Sequence, residues 1–168
     1  MKFSFIRFIY LLFISFSFAF CSNDSDIEVY KNLNSDALDI VVSYSPIETE
    51  ILNLVNKYRV ENKLSKINTL NIISSVASSH TNYMIENGVV SHDNFQDRVL
   101  KLQNNANAKL VGENVAYGYN SAESVVNGWL NSPEHKKLID STTFTHFGIS
   151  TKTDKEGRNY FTQIFIKK

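Results

Sequence analysis

A single cysteine among 168 residues excludes an intrachain disulfide and a cysteine-based zinc site. Basic charge in excess is missing too. Lys plus Arg and Asp plus Glu number 17 each, and removing Lys2 and Arg7 with a leader leaves 15 against 17, a charge of about −2. A nucleic-acid partner, which needs a basic field, is therefore not expected. The chain also lacks an internal repeat, a glycine loop that could cradle phosphate, an HExxH and a GxSxG. With 43% hydrophobic and 12% aromatic residues it is long enough for one core and short for two. A single folded unit, most simply a monomer, is expected.

Residues 1–20 read as a signal peptide. Lys2 and Arg7 supply a positive start, and the apolar run from Phe8 to Phe20 is too short for a comfortable membrane span. Two endings compete. Ser17 and Ala19 are small at the positions that ordinary signal peptidase reads for a cut after Ala19. Alternatively FAFCSNDSD resembles a bacterial lipobox, with the cut before Cys21 and lipid on its thiol, although Phe20 departs from the small residue usual there. The polar, acidic stretch Ser22–Asp26 resembles the export tag of surface lipoproteins in Bacteroidetes-type bacteria. The expectation is an exported protein: an outer-membrane or cell-surface lipoprotein held by a lipid anchor, or a secreted or periplasmic one. Residues 21–44, rich in Asn, Asp and Ser without sustained period, read as a flexible tether. Residues 45–168 are left for the folded domain.

Within it, Ser45, Pro46 and Glu48 form a capping box that opens a helix to about Asn62, with Ile51, Leu54, Val55 and Tyr58 as its core face. A second helix spans Asn71–Asn87 and stops at Gly88. His80 lies on its apolar stripe and reads as a core histidine satisfied by a backbone partner. Asp93 is expected to cap a short helix from Asn94 to about Gln103, followed by a polar loop, Asn104–Lys109. Ser121 caps a helix that buries Val125, Val126, Trp129 and Leu130 and ends at Asn131. Ser132 and Pro133 restart a turn carrying Glu134 and His135. Phe144–Thr151 and Tyr160–Ile166 alternate as strands about a turn at Asp154–Gly157. Helices followed by a hairpin indicate an α+β class.

The chemistry gathers around GENVAYGY, residues 112–119. Glu113 stands in a run of small and apolar residues, awkward for a helix or a plain core strand, with His92 21 residues before it and His135 22 after it. Two imidazoles and one or two carboxylates suit first-row metals, zinc among them. They equally suit a polar network that braces the loops, or a metal-assisted site in which Glu113 acts as general base.

The chain from about Ile47 to Ile166 resembles the CAP superfamily (cysteine-rich secretory proteins, antigen 5 and pathogenesis-related proteins), in its disulfide-free bacterial branch. The resemblance rests on ILNLVNKYRVENKL, HTNYM with GVVSHDNF, GENVAYGY, VVNGWLNSPEHKKLID, FTHFGIS and YFTQIF in that order. It implies an α-β-α sandwich with a small antiparallel sheet between helices, and an open cavity lined by His92, Glu113 and His135. It implies His92 and His135 as ligands of a weakly bound divalent cation such as Zn2+, and a binding role toward a lipid, an envelope polymer or a protein. The family's second glutamate sits in a longer connection that this chain lacks. Glu134 is the stand-in, although neighbours in a helix point about 100° apart. The leading expectation is a binding module. Its rivals are a hydrolase of peptide or ester bonds, with Glu113 as base, and a structural envelope protein.

Overall fold

The computed structural model describes residues 40–168. The leader, Cys21 and all but the last residues of the expected tether lie outside that range. Nine elements follow: α1 (Pro46–Glu61), β1 (Asn68–Thr69), α2 (Asn71–Asn87), α3 (Phe95–Ala106), β2 (Leu110–Tyr117), α4 (Ala122–Asn131), α5 (Pro133–Asp140), β3 (His146–Thr153) and β4 (Asn159–Lys167).

The strands form one sheet in the order β1-β3-β4-β2. Its long pairings, β3 with β4 and β4 with β2, are antiparallel, and the two-residue β1 adds a parallel edge through Asn68↔His146. Alternation along β4 sends Phe161 and Phe165 to one face and Ile164 and Ile166 to the other. The first face packs Ile51 and Val55 of α1, Val125 and Trp129 of α4 and Ile139 of α5. The second packs Ile73, Val76 and Ala77 of α2 and Leu102 of α3. Helices thus cover both sides of the sheet, which is the expected α-β-α sandwich. Trp129 is core, its indole Nε1 donating to the Val115 carbonyl at 3.2 Å.

Side chains cover the free edge of β3. The capping box at Ser45 forms as expected, and Glu48 then spends its other oxygen on the Thr151 amide at 2.7 Å. Ser74 Oγ accepts from the Ile149 amide at 3.1 Å. These bonds blunt an edge that would otherwise offer unpaired donors to another chain. Ser74 comes so close because residue 148 is glycine: a Cβ there would stand 2.5 Å from the Ser74 backbone nitrogen.

Two local expectations are corrected. Asp93 does not cap α3. Asn94 holds the cap position with φ +57° and makes no side-chain cap bond, while Asp93 instead accepts from Tyr83 through its side chain and from Arg98 through its carbonyl. The helix also runs to Ala106, through the first half of the expected polar loop, because Ala106 and Ala108 bury against the second face of the sheet. GENVAYGY for its part begins as a strand. Six of its residues belong to β2, an edge strand, where a carboxylate can meet partners from beyond the sheet.

Candidate functional site

Glu113 is 7% exposed, and its carboxylate accepts hydrogen bonds from His92 and Arg98. Alternation along β2 turns it toward the α2–α3 layer, in register with Ile164, and turns Asn114 toward the opposite layer, in register with Gln163. Arg98, buried on α3, grips the carboxylate with both arms, Nε to Oε2 and Nη2 to Oε1, each at 2.6 Å. Its remaining nitrogen, Nη1, donates to the Asp93 carbonyl at 2.7 Å and so pins the loop that carries His92.

His92 places Nδ1 2.8 Å from Glu113 Oε1. A carboxylate only accepts, so the ring proton sits on Nδ1, and the neutral imidazole keeps its lone pair on Nε2. The His92 side chain is 52% exposed. His80 lies on the other side of the same oxygen, its Nε2 3.9 Å away and donating to the Ser91 carbonyl at 2.8 Å. The expected backbone partner is therefore present. The same ring also faces Glu113.

Protonation follows from these contacts. Burial pushes the Glu113 carboxyl up, but the hydrogen bonds from His92 and Arg98 and the Arg98 charge outweigh it, and its pKa ends below the usual carboxylate value. Burial lowers the His80 pKa, against the opposing pull of the Ser91 carbonyl and the Glu113 charge. At neutral pH this core is a buried Arg–Glu ion pair flanked by a neutral His80.

His135 approaches from the opposite layer, in the first turn of α5, where its carbonyl accepts from Asn114 Nδ2 at 3.3 Å. Burial lowers its pKa, the nearby His92 lowers it further, and Glu134 opposes both. His135 thus lies near enough for the His92 charge to reach it. Glu134 itself is exposed, and its side chain makes no hydrogen bond among the described residues. Gln163 is fully buried and accepts from Asn114 at 3.4 Å.

Among the described residues no group of three or more His, Cys, Asp or Glu side chains is gathered so as to hold a metal ion. The donors that face outward are imidazole nitrogens, and both Glu113 oxygens are engaged. Arg98 is the residue that sequence reasoning missed. Its signal was its place on the stripe Phe95, Arg98, Leu102, where a helix that buries those positions must bury the guanidinium too.

A sheet flanked by helices, with an edge-strand glutamate between two histidines, defines a CAP-type domain, and the family model described as the cysteine-rich secretory protein family matches residues 52–165. The chain belongs to that family. Among curated proteins it is 34% identical over 126 residues to the uncharacterized membrane protein YlbC of Bacillus subtilis, covering 72% of this chain and 34% of that protein. To the uncharacterized protein YkwD of the same species it is 42% identical over 60 residues, covering 36% of this chain and 22% of the other. It thus spans about a third or less of the relatives it matches. Among solved structures, an outer surface protein of Borrelia burgdorferi superposes with TM-score 0.68 at 22% identity, covering 76% of this chain and 96% of that one. An extracellular SCP-domain protein of Bacillus anthracis gives 0.65 at 25%, covering 76% and 45%. No helix among the described residues is long and apolar enough to cross a membrane.

Proposed function

We propose that this protein is an exported binding module whose His92–His135 edge takes a divalent cation weakly. The observation that carries this reading is the chain of contacts Arg98–Glu113–His92. A carboxylate that accepts from Nδ1 of a histidine fixes the tautomer and leaves Nε2 as the donor to an ion, the usual outer-shell arrangement at metal-bound histidine. His135, kept neutral by burial and by His92, supplies a second nitrogen. A bound ion would act as a Lewis acid toward an oxygen of the partner. With two protein nitrogens, affinity stays low and coordination positions stay open.

This reading gives Glu113 an orienting role in place of the general base. Both oxygens are bonded, and a carboxyl held below its usual pKa is a poor base near neutral pH. The hydrolase alternative is correspondingly weaker. Export is supported by the leader-like residues 1–20, by the secretory family to which the chain belongs and by the surface and extracellular names of its structural neighbours. The proposal includes lipid attachment at Cys21 and a lipid, envelope polymer or protein as the partner.

The test is calorimetric titration of zinc into the purified protein and into a His92→Ala, His135→Ala double variant with an unchanged circular dichroism spectrum. One ion on the wild type and none on the variant supports the site. Equal heats from both would end it.

A further inference from the structure

On the flank formed by the α1–β1 and α5–β3 loops lies a cleft of about 330 Å3, lined by Arg59, Lys63, Lys66, Asn68 and Thr142 among others, with no acidic residue in its wall. We propose that this cleft is a second, metal-independent site that binds a phosphoryl group.

Arg59 carries the argument. It is 2% exposed, an unusual state for a guanidinium without a carboxylate partner. Nε donates to the Ser65 carbonyl at 2.8 Å, and Nη1 donates to the carbonyls of Ile139 and of Ser141, the latter at 2.9 Å. These bonds lock the plane of the group. Among the described residues Nη2 donates no hydrogen bond, and the side chain borders the cleft. Asp140 is the carboxylate whose charge reaches Arg59, but its bond goes to Lys136. Held in that plane, Nη2 offers its N–H donors, and the guanidinium its charge, to an oxygen of a phosphate or carboxylate.

The surroundings choose between the two. Lys63 and Lys66 add two exposed ammonium groups, and none of the three cations belongs to an ion pair among the described residues. Three cations match a phosphoryl group better than a single carboxylate charge. Among the described residues the side chains of Ser65, Asn68 and Thr142 make no hydrogen bonds to the protein, leaving neutral donors at the rim. Lys63 also has φ +61°, a left-handed conformation that glycine or asparagine adopts more readily. The lining comes from the end of α1, the α1–β1 loop, β1 and the α5–β3 loop, and includes neither His92 nor His135.

The experiment is an NMR titration of the purified protein with glycerol phosphate and inorganic phosphate, chelator present and ionic strength held with chloride. It is run on wild type and on a Lys63→Gln, Lys66→Gln variant, whose exposed substitutions spare the core. Vesicles with and without phosphatidylglycerol form the second arm. Saturable shifts at the amides of Lys63–Asn68 and Thr142, weakened roughly tenfold or more in the variant, are expected, since charge-assisted hydrogen bonds are worth about that much. Cosedimentation with phosphatidylglycerol vesicles alone would assign a lipid headgroup. Binding of glycerol phosphate without vesicle binding would assign a free or polymer-borne phosphate. Shifts that never saturate, or that are equal in the variant, would overturn the site. An Arg59→Lys variant that keeps its fold yet binds as wild type does would overturn the role of Arg59.

Discussion

Arg98 and Glu113 meet in two parallel hydrogen bonds of 2.6 Å, both residues buried, one on α3 and the other on the sheet's edge strand. Their pairing joins the α3 layer to β2 and fixes the loop that bears His92. Truncating one partner leaves the other as an uncompensated buried charge, which costs about 3–5 kcal/mol. Arg98→Ala and Glu113→Ala should each lower the unfolding free energy obtained from urea denaturation by about that amount. An Arg98→Met, Glu113→Gln pair should lose clearly less than the sum of its single changes. Additive losses would show that the two residues act independently.

Acid should unfold the protein in two stages. Burial holds the His80 and His135 pKa values down, so the unfolded chain takes up protons first as pH falls below the ordinary histidine value of about 6.5. Stability present above that pH is then lost on acidification. Glu113, also held below its ordinary value, adds a second loss as pH falls through and below about 4.3. Urea midpoints from pH 8 to pH 3 should show both limbs. His80→Gln should flatten the upper one most, because His80 is the more buried, and Glu113→Gln should flatten the lower. A midpoint independent of pH in His80→Gln and wild type alike would contradict the buried neutral state.

The elements were largely legible in the sequence because their ends carry local chemistry. Ser45–Glu48, Gly88, Ser121 and Pro133 mark helix boundaries by bonds made within a turn or two. The cap of α3 was misread because Asp93 has partners from outside its turn, Tyr83 on α2 and Arg98 one turn on. Strand β1 was invisible, since two exposed residues carry no period. At the site His92, Glu113 and His135 were found by motif, whereas the bond that orders them was not. The link from Arg98 to Glu113 spans 15 residues and two layers, and nothing local encodes it.

Close packing at Gly148, beneath α2, and at Gly128, on α4, makes the two glycines an informative pair. A Cβ at Gly148 meets the backbone nitrogen of Ser74, which cannot move without shifting the helix. At Gly128 the obstacle is the hydroxyl end of Tyr119, a half-buried side chain able to turn away. Gly148→Ala should therefore cost about 1–3 kcal/mol or more. Gly128→Ala should cost less, the added helix propensity of alanine offsetting part of the strain, about 1 kcal/mol. Urea denaturation of the two variants gives the order. A milder effect at Gly148 would mean that α2 sits on the sheet less tightly than its contacts indicate.

The state of the His92 ring separates an orienting Glu113 from one that merely braces the fold. In the wild type Nδ1 faces the carboxylate at 2.8 Å, so the neutral ring should be protonated at Nδ1 and unprotonated at Nε2. Nitrogen-15 shifts of the imidazole at pH 8 report this directly. In Glu113→Gln the amide can offer a donor or an acceptor, and Arg98 competes for its oxygen. The Nδ1-protonated form should then lose its dominance. If the tautomer is what presents Nε2 to a cation, zinc affinity should fall with it by about 10–100-fold, the usual cost of removing an outer-shell partner. His135 stays in place in that variant, and its own zinc-dependent shift serves as the internal reference. A tautomer change without loss of zinc affinity would leave Glu113 as a brace for the α3–β2 junction and His92 free to bind on its own. An unchanged tautomer would mean that the ring is set by its loop, through the Arg98 bond to the Asp93 carbonyl, and Arg98→Lys would then be the substitution that releases it.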